Sequence, residues 1–271
     1  MFLGLGLKLF LTINVTVHDD ERPITIEYTD KTPKGSVSLD IEENLITKTA
    51  LYLARSYGTT LPKGLELIVD NDIPLGRGLG SSGTAIVGGV MLANVVCGLN
   101  LPKERLLDYC IMVEGHPDNV AATLLGGFVA SYLNDKASLF VIPKFELATS
   151  LARSVLPQQY ERSDVVYNLQ RVTVLTHALG DDTPNPEKKV NSSLPEILAL
   201  KPGFMNGFIG ACMSGAGPTV LVLATENFEA IGKKIQEIFM NTKDENGKGI
   251  DSYVKILDVC DEGTVIINEE K

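Results

Sequence analysis

The opening stretch of the chain alternates apolar and polar positions in the manner of strands set around one helix. Leu9–Val17 and Ile24–Tyr28 alternate or cluster β-branched residues, and Leu65–Val69 does the same, so each predicts a strand. Between them Ile46, Ala50, Leu53 and Tyr57 recur at helical spacing, with Gly58 where a C-terminal cap belongs. From Gly83 to Cys97 the chain is apolar on most sides, which predicts a buried helix, and Pro102 opens another that reaches about Gly115. Gly127–Leu133 and Leu139–Ile142 predict strands. Ser163 is placed to cap a helix running to about Ala178, and Asp181–Ser193, polar and with two prolines, reads as a loop. The last third predicts a strand at Phe208–Met213, a glycine-rich turn, a strand at Val220–Leu223, a helix at Phe228–Asn241, and strands near Tyr253–Val259 and Thr264–Ile267. Strands and helices alternate without a regular βαβ rhythm, which favours an α+β fold over a doubly wound sheet. No linker marks a clean boundary; the division expected is at 1–131 and 132–271, near Ser131–Ala137.

Composition narrows the partners rather than the fold. A net charge of −10 and a pI near 4.9 disfavour nucleic acid and anionic membrane surfaces, whose phosphates would be repelled. Cys97, Cys110, Cys212 and Cys260 lie far apart with no CxxC pair, so they read as reduced core thiols, neither a zinc site nor a disulfide framework. The apolar start, Met1 to Leu7, lacks a basic leading region and a cleavage site, and no run approaches membrane-spanning length. A soluble cytoplasmic protein acting on a small molecule is the expectation.

The most informative segment is Pro74-Leu75-Gly76-Arg77-Gly78-Leu79-Gly80-Ser81-Ser82-Gly83, directly ahead of the apolar helix. Glycines let backbone N–H groups turn inward onto an anion, the helix adds its positive dipole end, and Arg77 adds a charge at the rim. A Walker loop would need Gly-Lys-Ser/Thr, and no lysine stands here. The glycines do not fall in a GxGxxG register followed by an acidic residue on a second strand. A plain strand-to-helix turn with capping serines does not need so many glycines. The string Pro-x-Gly-x-Gly-Leu-Gly-Ser-Ser resembles the central ATP-binding motif of the GHMP kinases. The resemblance implies ATP on Pro74, Gly76, Arg77, Gly78, Leu79, Gly80, Ser81, Ser82 and Gly83, with Mg²⁺ near Ser81 or Ser82.

Glu114 falls at a helix end, where the dipole disfavours a carboxylate, so an acid there invites a cation such as Mg²⁺. Pro117 breaks the helix and places His116 and Asp118 at a corner. Taken singly, Asp118 could simply complement a helix dipole and His116 could be a partly buried capping residue. Together, Glu114-Gly115-His116-Pro117-Asp118-Asn119, with Gly126-Gly127-Phe128 downstream, resembles the segment typical of homoserine kinases. That resemblance implies Glu114 as a catalytic metal ligand, with His116, Asp118 and Asn119 facing L-homoserine; an aspartate suits an α-ammonium group. Thr149-Ser150-Leu151-Ala152-Arg153-Ser154-Val155-Leu156-Pro157 is similar to the family's Thr-x-x-Ala-Arg-x-x-Leu-Pro pattern. It implies substrate contacts at Thr149 and Arg153, the guanidinium offering two-point binding near the reacting end, although an arginine here could equally serve a surface ion pair. Met213-Ser214-Gly215-Ala216-Gly217-Pro218-Thr219 resembles the third GHMP motif, bringing Gly215 toward the substrate, and by the same analogy Asn44 reaches the adenine.

The fold so implied is α+β: an N-terminal domain like domain 2 of ribosomal protein S5, a ferredoxin-like C-terminal domain, and the active site in the cleft between them. The family's opening strand motif, Pro-x-Ser-Ala-Asn-x-Gly-x-Gly-Phe-Asp, has no counterpart in this sequence. The stretches at Ser131–Leu139 and Asp181–Ser193 are shorter than the family pattern. The missing motif keeps a nucleotide-binding sensor without turnover as an alternative; a mevalonate-type kinase is another, which His116-Pro117-Asp118-Asn119 argues against; and pairing of an apolar N-terminal strand gives a homodimer as the expected assembly.

Overall fold

In a computed structural model of the chain, the residues described are 4–129, 138–143, 195–198, 200–215, 217–242 and 248–267. They form two compact units. The first holds 4–74, 80–129 and 260–267; the second holds 75–79 and the described residues between 138 and 259.

In the first unit β1 (Gly4–Leu5), β2 (Leu11–Val17) and β3 (Thr25–Tyr28) precede α1 (Leu45–Ser56) and β4 (Leu65–Asn71). β4 is the middle strand of three, antiparallel to β2 and parallel to β3. Its alternation buries Leu65, Leu67, Val69 and Asn71 and leaves Glu66, Ile68 and Asp70 on the other face. α1 adds Ile46, Ala50, Leu53 and Ala54 to the same core, a stripe at helical spacing.

α2 (Ser81–Val96) buries Ile86, Val87, Val90, Leu92 and Ala93. Its contact with α1 is close enough that a Cβ on Gly89 would lie 2.2 Å from the Ile46 carbonyl oxygen, so only glycine fits there. α3 (Lys103–Glu114) contributes Leu106 and Cys110, and α4 (Asp118–Leu125) contributes Val120 and Leu124. β5 (Phe128–Val129) pairs with β1, and the chain returns from its far end to join them: the Cys260 N–H donates to the Gly6 carbonyl and the Gly127 N–H to that of Cys260.

The second unit is a four-stranded antiparallel sheet in the order β7 (Phe208–Met213), β8 (Val220–Ala224), β6 (Ser138–Pro143), β9 (Ser252–Leu257). α5 (Pro195–Leu198) contributes Ile197, and α6 (Phe228–Asn241) contributes Ile231, Ile235, Ile238 and Phe239, to a core with Phe208, Val220 and Val222. Val254 of β9 packs where a Cβ on Gly232 would meet it at 2.9 Å.

The architecture is α+β, as the irregular order of elements indicated. The expected strand at Thr264–Ile267 does not form. Thr264 ties back to α4, its Oγ1 donating to the Thr123 carbonyl at 2.8 Å, and Val265, Ile266 and Ile267 are exposed with no strand beside them among the described residues. The helix expected at Ser163–Ala178, the loop at Asp181–Ser193 and the end of the strand at Gly127–Leu133 lie outside the described residues.

Candidate active site

α2 begins without a side-chain cap: its N-cap is Gly80, left-handed at φ 74°, and the first N–H groups of the helix face whatever lies ahead of it. Gly76 and Gly78 are left-handed too, at φ 64° and 76°. Left-handed residues at alternate positions make the backbone pattern of an anion-binding nest. Gly76 and Gly78 fit a phosphate for that reason, and the start of α2, taken by itself, suits one through its free N–H groups and its dipole.

Residues 75–79 are braced within the second unit by the turn after β7. Ser214 Oγ donates to the Gly78 carbonyl at 2.8 Å, and a Cβ on Gly78 would lie 2.5 Å from the Ser214 carbonyl oxygen and 2.6 Å from that of Gly217. The turn is closed by the Gly217 N–H on the Ser214 carbonyl and the Ser214 N–H on that of Thr219. Gly215 sits in it at φ 55°. Tyr253 of β9 senses Arg77: burial raises the phenol's pKa, and the guanidinium charge works against that rise.

The acidic corner belongs to the first unit. α3 ends at Gly115, left-handed at φ 81°, and Pro117 starts α4, so Glu114, His116 and Asp118 converge from the two helix ends. Ser82 Oγ, on the first turn of α2, donates to Glu114 Oε2 at 3.0 Å. His116 Nδ1 is hydrogen-bonded to Asp118 Oδ1, and His116 Nε2 lies 3.6 Å from Glu114 Oε1. The Glu114 and His116 side chains are only 11% and 12% exposed, so the interactions they make are little weakened by solvent. Asn119 lies flush against the helix entrance: a Cβ on Gly80 would be 3.2 Å from its Oδ1, and one on Gly83 would be 2.9 Å from its Cβ.

A hydroxyl and one carboxylate are the hard oxygen donors that suit Mg²⁺, which completes its shell with water and phosphate oxygens. No group of three or more His, Cys, Asp or Glu poised for a metal occurs among the described residues. The donor set therefore fits an ion held jointly with a phosphate ligand.

The sequence-predicted residues thus fall into two sets: Ser81, Ser82, Gly83, Glu114, His116, Asp118 and Asn119 around the start of α2, and Gly76, Arg77, Gly78 and Gly215 around the braced turn. Asn44, expected at the adenine, is the N-cap of α1 and is 1% exposed. Its Oδ1 accepts the Ile46 N–H at 3.0 Å while its Nδ2 donates to the Ser38 carbonyl and the Tyr28 hydroxyl, so both amide hydrogens and one oxygen lone pair are used within the fold. Thr149 and Arg153 lie outside the described residues. Ser214 was missed as a named contributor; its place in the second glycine-rich turn was the available signal.

Residues 44–127, which span α1 to α4 and the loop between, match the family profile of the GHMP kinases N terminal domain. A homoserine kinase of Candida albicans is 38% identical over 97% of this chain and 92% of its own length. That alignment runs to 340 positions, longer than the chain, so the relative carries segments this chain lacks. A homoserine kinase of Schizosaccharomyces pombe is 40% identical over 88% of this chain and 87% of its own. The structure of a putative homoserine kinase from Listeria monocytogenes superimposes with a TM-score of 0.72 at 30% identity, covering 99% of this chain and 93% of that one. The chain belongs to the homoserine kinase family within the GHMP kinases, ATP-dependent phosphotransferases that act on an alcohol group.

Proposed function

We infer that the chain transfers the γ-phosphoryl group of ATP to the side-chain hydroxyl of L-homoserine, giving O-phospho-L-homoserine on the route to threonine. The observation that carries this reading is the Ser82–Glu114 pair at the entrance of α2, beside the His116–Asp118 corner. Backbone amides of the glycine loop and the first turn of α2 hold the phosphates and offset their charge. Ser81, Ser82 and Glu114 would hold Mg²⁺, which supplies charge neutralisation on the phosphates when bound. Asp118 takes the α-ammonium group and Asn119 the adjoining part of the substrate. Thr149 and Arg153 are assigned to the reacting end, where a guanidinium matches a carboxylate or phosphate edge. Gly215 keeps the turn below the loop in shape. The loose transition state of phosphoryl transfer needs positioning and charge more than a strong base, and no general base is assigned. We also place the enzyme in the cytoplasm as a homodimer paired along β2, whose Val15 and Val17 are exposed.

The test is ADP release from MgATP by the whole chain with L-homoserine, L-threonine, mevalonate or galactose offered separately. Turnover should depend on homoserine, and Glu114→Ala should lower kcat by roughly 10²–10³-fold with the fold intact. Turnover with mevalonate instead would transfer the chain to another substrate class. ATP binding without turnover on any acceptor would make it a sensor. Full activity in Glu114→Ala would overturn the metal assignment.

A further inference from the structure

His116 stands on the short corner between α3 and α4 with a carboxylate on each side of its ring. Nδ1 is hydrogen-bonded to Asp118 Oδ1, and Nε2 faces Glu114 Oε1 at 3.6 Å. Glu114 turns its other oxygen, Oε2, to the Ser82 hydroxyl at 3.0 Å. Four side chains on three helix ends therefore form one line, Ser82–Glu114–His116–Asp118. Both nitrogens of the ring are turned on the protein's own carboxylates, and the side chain is 12% exposed. That orientation commits neither nitrogen to an amino-acid substrate, the role the motif resemblance implies.

We propose that His116 is a positioning residue: it bridges the carboxylate on the metal side, Glu114, to the carboxylate on the substrate side, Asp118. The inference rests on the reading under Proposed function and gives His116 a role other than the substrate contact that the motif resemblance implies. The physical need for a bridge is plain at both ends. Glu114 is the last residue of α3, where the helix dipole repels a carboxylate and three side-chain torsions leave it free to turn away. Asp118 is the first residue of α4, and an unrestrained aspartate there would fold back on the N–H groups of its own helix. A ring held between them fixes both, so loosening one end should be felt at the other.

The ring's two nitrogens can be removed separately. Asparagine places its amide nitrogen where Nδ1 stands and glutamine places its own where Nε2 stands. His116→Asn thus keeps the Asp118 end and His116→Gln the Glu114 end. In the whole chain, three quantities would be measured for wild type, His116→Ala, His116→Asn and His116→Gln: the homoserine KM, the Mg²⁺ concentration for half-maximal rate, and the affinity of Mn²⁺ in the presence of ADP by calorimetry. The alanine variant should weaken both homoserine and metal, each by roughly 10–100-fold, the range for a residue supporting a ligand from behind. Asparagine should restore homoserine alone and glutamine the metal alone. Asp118→Asn, which touches no metal in the proposed reading, should also weaken Mn²⁺–ADP across the bridge. Should His116→Ala fail to fold, the asparagine–glutamine contrast and Asp118→Asn decide the matter. If all His116 variants raise the homoserine KM with metal affinity unchanged, His116 is a direct substrate ligand and the bridge is wrong; unchanged values everywhere overturn it equally. If the wild type turns over no homoserine yet the Mn²⁺–ADP affinities follow the pattern, the bridge stands and the substrate reading falls.

Discussion

Cys110 is buried in the core between α2 and α3, and burial pushes its thiol up to about 12 because no charge nearby repays the desolvation of a thiolate. A folded acid weaker than its unfolded form stabilises the protein fully below the unfolded value, about 8.5, and that contribution fades as pH climbs toward the folded one. The window is therefore alkaline. At about pH 8 the native chain should carry roughly three orders of magnitude less thiolate at this residue than an ordinary cysteine, and alkylation followed by mass spectrometry should leave Cys110 unmodified until urea unfolds the protein. Rapid labelling of native Cys110 would mean that the core opens far more often than its packing suggests. Burial was expected of all four cysteines from the apolar runs around them, and it holds for Cys110 alone; Cys97, Cys212 and Cys260 are half-buried. The role of Asn44 was not legible. An asparagine just ahead of a helix reads equally as a cap or as a ligand, and only the folded positions of Tyr28 and Ser38, sixteen and six residues away, show where its two amide hydrogens are bonded.

At the scale of elements, Asn44 carries more than the start of α1. One buried amide ends the β3 side through Tyr28, the connecting loop through Ser38 and the helix through Ile46. Asn44→Ala should cost about 2 kcal/mol, the upper range for a lost cap, because the Ile46 N–H is left buried and unpaired. Asn44→Ser should recover part of it by keeping an acceptor. Urea unfolding measures the cost, and the KM for ATP should stay within about twofold of wild type. A tenfold rise in that KM without loss of stability would return Asn44 to the adenine. Elements whose apolar pattern exceeds a few residues were readable in advance: α6 and β7 fall at their expected bounds, and α1, α2 and α3 lie within a residue or two. The exceptions share a cause. β1 is two residues long, held by pairing that no local pattern encodes, while Thr264–Ile267 has the composition of a strand and, among the described residues, no neighbour to pair with. The corner at Glu114–Asp118 was legible for the opposite reason, since Gly115 and Pro117 end one helix and begin the next by local rules.

At the scale of the whole molecule, a boundary drawn near residue 131 makes each half a continuous stretch of chain, and the first unit is held together differently. Cys260 bridges Gly6 and Gly127 through two backbone hydrogen bonds of 2.9 and 2.7 Å, and Thr264 adds bonds to the Thr123 and Leu124 carbonyls. Gly126 and Gly263 touch backbone to backbone; a Cβ on Gly263 would lie 2.5 Å from the Gly126 nitrogen. Sequence pattern could not reveal this, because three of the four bonds run between main-chain groups, and all four join residues more than a hundred positions apart. Ending the chain after Val259 should therefore destabilise the unit that carries α2 and Glu114. Four hydrogen bonds at about 1 kcal/mol each, less the entropy regained by the freed segment, put the loss at roughly 2–3 kcal/mol. Urea unfolding of the truncated chain should show a lower midpoint, and Gly263→Ala in the full chain should shift it in the same direction, since φ is 64° there and no room exists for a Cβ. Equal midpoints for all three proteins would mean that residues 260–267 lie on the unit without supporting it. A loss confined to the truncation would assign their contribution to the Cys260 bridge, leaving the glycine contact free to relax.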